Sequence, residues 1–277
     1  MDGRLSDVIS QANVRRWVLV VALLLPAAAA LDTVAQGRDG GAAGTLWHLR
    51  APPSPTGGAL LDVRLLQFSG RTSAARRDPC PRPLRGARRH GPRTRRRVAL
   101  TFDDGPSRYT PAVLRALRRA RARATFFVVG VHVARREAVM RRAVTAGDEL
   151  GDHSWDHPPL PSHWQLRRTA DAIRRATGVR PCLFRPPYGL LDRRLRRAAA
   201  SLRMTTVEWD VDTSDWAGLR PRQIAHHVLR AIRPGSIVLL HDGGGVRVRT
   251  VRALPHILRG LSRRGYRPVT VSRLLGR

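Results

Sequence analysis

From residue 97 onward, short apolar runs alternate with amphipathic segments, and this alternation restricts the folds open to the chain. The apolar runs are typical of strands: 97–102, 124–129, 149–151, 181–184, 204–209, 236–240 and 266–269. The segments between them have apolar residues at helical spacing: 111–121, 133–146, 164–177, 192–202, 221–232 and 248–264. Strands that are apolar on both faces are typical of a parallel sheet covered by helices. The pattern predicts an α/β fold, and both an open doubly wound sheet and a closed or distorted barrel fit it.

Polar clusters follow the predicted strands, at the points where the apolar runs end. They lie at 101–106, 152–157, 185–189, 210–216 and 241–243. Active sites of α/β barrels form at the carboxyl ends of strands from several different loops, so we expect these clusters to meet at one face. Each cluster alone has an ordinary explanation, such as a turn at residues 103–106. Their joint occurrence is what favours a functional site.

The histidine pair of the second cluster indicates a metal site. His153 and His157 are four residues apart, so one helical turn or a tight loop can aim both imidazoles at one point. With one carboxylate they would form a His₂Asp set that leaves coordination positions for water and substrate, which is typical of hydrolytic metal sites. Asp103 and Asp104 are adjacent, so one can bind the metal while the other takes a proton from water.

Residues of the other clusters suit proton transfer and sugar binding. Arg185 is a candidate for positioning a carboxylate base. His241 is a candidate acid for a leaving group, and Asp215 is placed to hold its ring and keep its pKa near neutrality. Trp155 and Trp216 lie within the clusters, which favours a wall that stacks on sugars over a simple role in the core.

The charge of the chain is extreme, at +31 from 51 basic and 20 acidic residues. Such a balance normally favours nucleic acid or an acidic surface as partner. All the basic residues are arginine, however, and they are spread along the whole chain, as the codon bias of a GC-rich genome would spread them. The charge therefore does not by itself predict a specific nucleic-acid partner. The composition excludes a wholly disordered chain, a collagen and a disulfide-dense miniprotein.

Two segments precede the predicted domain. Residues 1–35 contain Arg15-Arg16, an apolar stretch at 17–31 and small residues near its end. This stretch has the length of a signal-peptide core and is short of the roughly 20 residues that span a bilayer. We expect a secreted or envelope-associated protein, with an uncleaved membrane anchor as the alternative. Residues 36–96 are rich in arginine, glycine and proline, which predicts a disordered linker.

The two cysteines of the chain are Cys80 and Cys182. In an oxidising compartment they could pair and tie the end of the linker to the domain. The alternative is a small buried Cys182 with an incidental Cys80, and the spacing does not decide between the two.

The clusters resemble, in order, the motifs of the polysaccharide deacetylases with a NodB homology domain, carbohydrate esterase family 4. The matching stretches are Thr101-Phe102-Asp103-Asp104, His153-Ser154-x-x-His157, Arg185-Pro186-Pro187-Tyr188-Gly189, Asp212-Thr213-Ser214-Asp215-Trp216 and Leu239-Leu240-His241-Asp242. The resemblance implies that residues 97–277 form a distorted, incomplete (β/α) barrel. It also implies a divalent metal cofactor, usually zinc and sometimes cobalt.

The resemblance also implies roles for the matched residues. The implied metal ligands are Asp104, His153 and His157. The residues implied in proton transfer are Asp103 as base, Arg185 as its partner, His241 as acid and Asp215 as the residue that orients the acid. The residues implied to contact substrate are Tyr188 through its backbone N–H, Leu239 in the acetyl pocket and Trp216 along the groove.

Hydrolysis of an acetyl amide or ester on a polysaccharide is the activity that this resemblance implies. Because export would place the enzyme at the cell envelope, we expect N-acetylglucosamine units of peptidoglycan first and chitin oligomers second, over O-acetyl xylan. Anionic wall polymers are expected as further contacts of so basic a chain. The rival hypotheses are a protein that binds nucleic acid or another polyanion without catalysis, a metal-dependent phosphatase or other hydrolase, and a catalytically inactive carbohydrate-binding relative. Release of acetate rather than phosphate separates the predicted enzyme from the second rival.

Overall fold

The computed structural model describes residues 80–277, and within them each strand pairs in parallel with its neighbours. The strands are β1 (Arg97–Gly105), β2 (Ala124–Val128), β3 (Glu149–Asp152), β4 (Leu183–Phe184), β5 (Thr205–Thr206), β6 (Val211–Asp212), β7 (Ile237–His241) and β8 (Arg267–Pro268). The α-helices are α1 (Thr110–Arg119), α2 (Gly130–Val133), α3 (Glu137–Thr145), α4 (His163–Thr177), α5 (Arg193–Ser201), α6 (Pro221–Ala231), α7 (Val248–Arg263) and α8 (Val271–Leu274).

The sheet has the strand order β5-β4-β3-β2-β1-β7-β6, and β8 pairs with the start of β1. The outermost strands of this order, β5 and β6, do not pair with each other, so the barrel is not closed. Helices follow the strands along the chain and cover the sheet, except that β5 leads to β6 with no helix between them. The prediction of an α/β fold built as an incomplete (β/α) barrel is confirmed.

The central strand β1 is apolar on both faces because both faces are packed. Val98, Leu100 and Phe102 point into the main core, which the helices cover. Ala99 points the other way, into a second cluster that contains Phe127. Burial on both sides explains the continuous apolar run in the sequence, and the run stops where the strand reaches the polar face of the barrel.

The observed helices follow the predicted boundaries closely, with one division. Residues 133–146, predicted as one helix, lie in α2, a 3₁₀ turn at Ala134–Arg136 and α3. The backbone at Arg136 has φ −140° and ψ 29°, which is outside the helical range and separates the turn from α3. Strand β6, helix α8 and residues 130–132 of α2 were not predicted, because they lie outside the apolar runs and amphipathic segments that indicated the other elements.

The packed domain begins before residue 97, and the prediction of a disordered linker over 36–96 is wrong for residues 80–96. Arg88 forms backbone hydrogen bonds with both neighbours of Val207, just beyond β5. Near the other end of the sheet, Gly91 N–H donates to Gly235 O at 2.8 Å, and Arg93 forms an ion pair with Asp210 at 2.9 Å. Backbone pairing with the sheet supplies the order that the composition of this segment did not indicate.

Cys80 and Cys182 form a disulfide, so the first of the two alternatives for the cysteines is the observed one. Cys182 directly precedes β4, and the bridge therefore fixes the start of the described segment to the sheet. The predicted signal or anchor at 1–35 lies outside the described residues. Within 80–277, none of the helices has the length and apolar character required to cross a membrane.

Candidate active site

The strand register brings the polar clusters to one end of the sheet. Asp103 near the end of β1 is level with His241 at the end of β7. Asp152 at the end of β3 is level with Phe184 of β4, so the residues that follow them, His153 and Arg185, leave neighbouring strands side by side. The predicted convergence of these clusters is observed.

Asp104, His153 and His157 form a group that can hold a metal ion. Their nearest ligand atoms all lie within 4.8 Å of one another. Asp104 Oδ1 lies 3.5 Å from His153 Nε2 and 3.3 Å from His157 Nε2. This oxygen is buried and has no hydrogen-bond partner among the described residues. A buried, unpartnered carboxylate oxygen that faces two imidazole nitrogens fits a cation bound among the three side chains.

The orientation of His153 suits a metal ligand. Its Nδ1 lies 2.7 Å from Arg185 O, and because a carbonyl only accepts, Nδ1 carries the proton and Nε2 keeps its lone pair. Burial is the main cause that lowers the pKa of His153 to about 3, and the neighbouring His157 adds to it. The ring is therefore neutral, as coordination requires.

Arg185 holds Asp103 beside the metal ligands. The guanidinium is fully buried, and its Nη1 donates to Asp103 Oδ1 at 2.8 Å and to Thr101 Oγ1 at 2.6 Å. Its Nη2 donates to Glu208 O at 3.0 Å, and its Cζ lies 4.1 Å from the centre of the Phe127 ring. Burial raises the pKa of Asp103, and the charge of Arg185 opposes that rise. The carboxylate is thus fixed in position by a cation that is itself held on several sides.

Strand β7 pairs with β1 on the side opposite to β2, so His241 and His153 lie on different sides of Asp103. His241 is paired with Asp215. The ring nitrogen Nδ1 lies 2.7 Å from Asp215 Oδ1. Asp215 also accepts a hydrogen bond from Thr250 Oγ1 of α7 at 2.7 Å. Thr250 carries no signal in the sequence, because it lies in the first turn of α7 and outside the motifs.

Four residues are predicted to contact substrate, and three of them lie near the metal-ligand candidates or near His241. The 3₁₀ turn at Pro187–Gly189 holds Tyr188 with φ 57°, its ring edge-on to His157 at 4.6 Å and half exposed. Leu239 is buried in β7, and Trp216 is exposed at 39% directly after Asp215. These three side chains lie next to the ligands or the acid in the chain or in space.

Trp155 does not belong to this group, and the prediction of a sugar-stacking role is not supported by its surroundings. One face of its ring is covered by the Arg168 guanidinium, 3.8 Å from the ring centre. On another side, a methyl group added to Gly130 would lie 2.4 Å from the ring. The indole therefore packs between α2 and α4.

Asp242 is a buried residue of the site for which the sequence analysis predicted no role. Its carboxylate accepts a hydrogen bond from the Thr110 hydroxyl, and its carbonyl accepts one from Ser107. A methyl group on Gly105 would lie 2.4 Å from Asp242 Oδ1, so the carboxyl packs directly against the end of β1. Burial raises the pKa of Asp242 to about 7. Through its contacts with Ser107, Thr110 and Gly105, Asp242 fixes the turn that follows Asp104.

Arg247 is a second residue that sequence reasoning missed. Its guanidinium is nearly buried, with Nε 2.6 Å from Gly243 O and Nη2 3.1 Å from Gly244 O. A methyl group on Gly244 would lie 2.2 Å from Asp104 Oδ2. Gly243, Gly244 and Gly245 form a glycine run, which packs directly against Asp104. Arg247 holds this run through hydrogen bonds to two of its carbonyls.

Comparison with known proteins places this geometry in a family. Residues 90–207 match the family model described as polysaccharide deacetylase. The chain is 38% identical over 192 residues to a peptidoglycan-N-acetylglucosamine deacetylase of Bacillus cereus, a match that covers 66% of this chain and 90% of that protein. It is 37% identical over 191 residues to the peptidoglycan-N-acetylglucosamine deacetylase PgdA of Listeria monocytogenes.

The match to the Listeria protein covers 66% of this chain and 40% of that protein, so this chain aligns with less than half of its length. Among solved structures, a peptidoglycan N-acetylglucosamine deacetylase superposes with a TM-score of 0.66 at 32% identity, covering 69% of this chain and 92% of the other. The chain belongs to the polysaccharide deacetylase family.

Proposed function

We propose that this protein is a metal-dependent deacetylase that hydrolyses the acetamido C–N bond of N-acetylglucosamine units in a polysaccharide. The observation that carries the proposal is the meeting, at one end of the sheet, of a His₂Asp group with a buried Asp103–Arg185 pair and a His241–Asp215 pair. The relatives named above, whose printed names specify peptidoglycan N-acetylglucosamine, support this substrate class.

Zinc is the proposed cation, with cobalt as the alternative, because two imidazoles and one carboxylate are ligands that suit both ions. Asp104, His153 and His157 would hold it. When bound there, the cation would supply Lewis acidity, which would polarise the acetyl carbonyl and lower the pKa of a neighbouring water.

The remaining side chains act on protons and on developing charge. Asp103, fixed by Arg185, accepts the proton of the attacking water. The backbone N–H of Tyr188 donates to the oxyanion of the tetrahedral intermediate, where donors stabilise the transition state most. His241 gives its proton to the departing sugar amine, and Leu239 lines the pocket for the acetyl methyl group.

A second candidate function is the hydrolysis of O-acetyl groups on xylan. The same residues support ester hydrolysis, because an alcohol departs more readily than an amine and needs less help from His241. Binding to a polyanion without catalysis is the weakest alternative, since it gives no reason for the ordered Asp103–Arg185 and His241–Asp215 pairs.

Release of acetate tests the proposal directly. We expect acetate from N-acetylglucosamine polymers, loss of that activity with a chelator, and its return with zinc or cobalt. Acetylated xylan and a phosphomonoester serve as comparison substrates in the same assay. Acetate from xylan alone would favour the esterase, whereas phosphate release, or full activity in chelator, would contradict the proposed function.

We also propose that the protein is exported to the cell envelope or beyond it. Support comes from the disulfide between Cys80 and Cys182, since such bridges persist in oxidising compartments. Fusion of residues 1–40 to a reporter that is active only after export provides the test. Export with cleavage near residue 31 or 36 is expected, export without cleavage would indicate an anchor, and activity confined to the cytosol would overturn the proposal.

A further inference from the structure

A groove of about 740 Å³ lies between α6 and α7. The residues that line it are Arg220, Pro221, Arg222, Val251, Arg252, Pro255 and His256. None of these residues belongs to the site described above, and none was singled out by the sequence motifs.

The groove lies at the same end of the barrel as the candidate active site. In a parallel β/α fold the helices begin where the strands end, and the groove is formed by the first turn of α6 and the first half of α7. Val251 directly follows Thr250, which donates to Asp215. Arg220 is four residues beyond Trp216, and four residues extend at most about 14 Å. The groove therefore lies near His241 and Asp215, the pair proposed to supply the acid.

The chemistry of the groove is mixed. Its apolar part is formed by Pro221, Val251 and Pro255, and exposed apolar surface of this kind suits the C–H face of a pyranose. Its charged part is formed by Arg220, Arg222 and Arg252, and no acidic residue lines it.

The three arginines of the groove differ from several others on the surface. Arg89, Arg93 and Arg141 each pair with a carboxylate of the protein. Within residues 80–277, the groove arginines form no such ion pair. Most arginines of the described surface also lack an ion pair, so what distinguishes these three is their place: all of them line one apolar groove that no acidic residue lines. The planar guanidinium matches a carboxylate with two parallel hydrogen bonds.

We propose that this groove is a subsite for a carboxylate-bearing sugar of the same glycan chain whose acetylated unit enters the active site. The inference rests on the proposed function and makes it more specific. The enzyme would prefer acidic glycans, such as peptidoglycan strands with free lactyl carboxylates, over neutral chitin or xylan.

The test compares two forms of one substrate. Peptidoglycan glycan strands freed of peptides are used either with free lactyl carboxylates or with those carboxylates amidated, and chitohexaose serves as a neutral reference. The variant is Arg220→Gln/Arg222→Gln/Arg252→Gln in the full chain. The matched control, Arg118→Gln/Arg119→Gln/Arg263→Gln, removes the same charge from exposed positions at the C-terminal ends of α1 and α7.

The wild-type protein should show a lower KM for the carboxylate strands than for the amidated strands. The groove variant should lose that difference, on the order of tenfold for three exposed ion pairs, with kcat on chitohexaose unchanged. The control variant should keep it. Equal losses in both variants, or no preference in the wild type, would overturn the subsite.

Binding measurements distinguish failure of the proposed subsite from failure of the proposed deacetylase function. Titration of the chelated protein with both forms of the strand measures Kd without turnover. A preference for the carboxylate form that disappears in the groove variant supports the subsite even if no acetate is released, in which case only the proposed function fails. Equal Kd values for both forms would overturn the subsite regardless of activity.

Discussion

Both oxygens of the Asp215 carboxylate bind His241. Oδ1 lies 2.7 Å from the ring Nδ1, and Oδ2 accepts the backbone N–H of the same histidine at 2.9 Å. The carboxylate therefore fixes the backbone and the ring together and sets the tautomer, because an ionised carboxylate only accepts hydrogen bonds. Nδ1 therefore keeps its proton in the neutral and the charged ring, and Nε2 is the nitrogen from which the charged ring gives a proton to a substrate.

The first prediction concerns the pKa of His241. Burial opposes a charged ring, but the hydrogen bond and charge of Asp215, together with the charges of Asp104 and Asp103, raise the pKa to about 9. NMR titration of the metal-free protein should find this value, and Asp215→Asn should lower it. Zinc should also lower it, because a cation offsets the charge of Asp104. A value of 6.5 or below in the metal-free wild type would contradict the geometry.

The same shift has a consequence for stability. A histidine whose folded pKa lies above its ordinary 6.5 stabilises the fold while it is protonated in both states. For metal-free protein, this contribution of His241 should be complete below about pH 6.5 and should vanish as the pH rises to about 9. Urea unfolding of wild type and His241→Gln across this range measures it, and the difference between the two should shrink with rising pH.

The second prediction tests His241 as the acid. His241→Ala should slow acetamide hydrolysis by roughly 10²–10⁴-fold, the usual scale for general acid catalysis. Activated aryl acetates should lose much less, because their leaving groups depart without a proton. Rates on both substrates, measured with the same zinc-loaded protein, decide the matter, and equal losses would remove His241 from this role.

The third prediction concerns the metal ligands and the base. Asp104→Ala, His153→Ala and His157→Ala should each abolish tight zinc binding and activity in a folded protein. Asp156→Ala is the matched control, since this exposed acid lies in the same loop. Asp103→Asn should keep zinc and lose about 10²–10⁴-fold in rate. Calorimetric zinc titration and acetate release separate the two classes, and retained zinc affinity in all three ligand variants would contradict the assignment.

The fold was predictable from sequence where burial dictates the residue pattern. Strand β1 was predictable because both of its faces are packed, which requires the apolar run that contains Val98, Leu100 and Phe102. The polar residues after this run indicated the end of the barrel at which the site lies. The order of segment 80–96 was not predictable from its composition, because it comes largely from backbone pairing with the sheet. The cysteines allowed the observed disulfide as one of two alternatives, but their spacing did not decide between them.

The candidate site was predictable where the chemistry requires particular side chains close together in sequence. The contacts of Arg247 and Asp242 were not, since both depend on how a loop folds over Asp104. Trp155 is a residue whose predicted role is not supported by its contacts. Its place between His153 and His157 suggested a sugar-stacking wall, but α4 places Arg168 over the ring. Position within a motif does not determine which way a side chain points.

The fourth prediction concerns the disulfide. Cys80 and Cys182 are 102 residues apart, and closing a loop of that length in the unfolded chain is worth about 2–5 kcal/mol. Cys80→Ser/Cys182→Ser should lower the free energy of unfolding by that amount in urea titrations. Reductant should destabilise the wild type to a similar degree and leave the double variant unchanged. A double variant as stable as the oxidised wild type would show that the bridge contributes nothing to stability.

The fifth prediction concerns Arg247, which reaches the metal ligands through the glycine run. Arg247→Met removes two hydrogen bonds to the carbonyls of Gly243 and Gly244, so the run is no longer held against Asp104. Loss of such an outer partner typically weakens metal binding by about 10–100-fold. Zinc affinity should fall by this factor at a pH where the variant is fully folded in a urea titration, and Arg247→Lys should recover part of it. Val246→Thr, at a neighbouring side chain that is 70% exposed, should leave the affinity unchanged. If Arg247→Met binds zinc as tightly as the wild type, the glycine run is held by its own backbone and Arg247 has no positioning role.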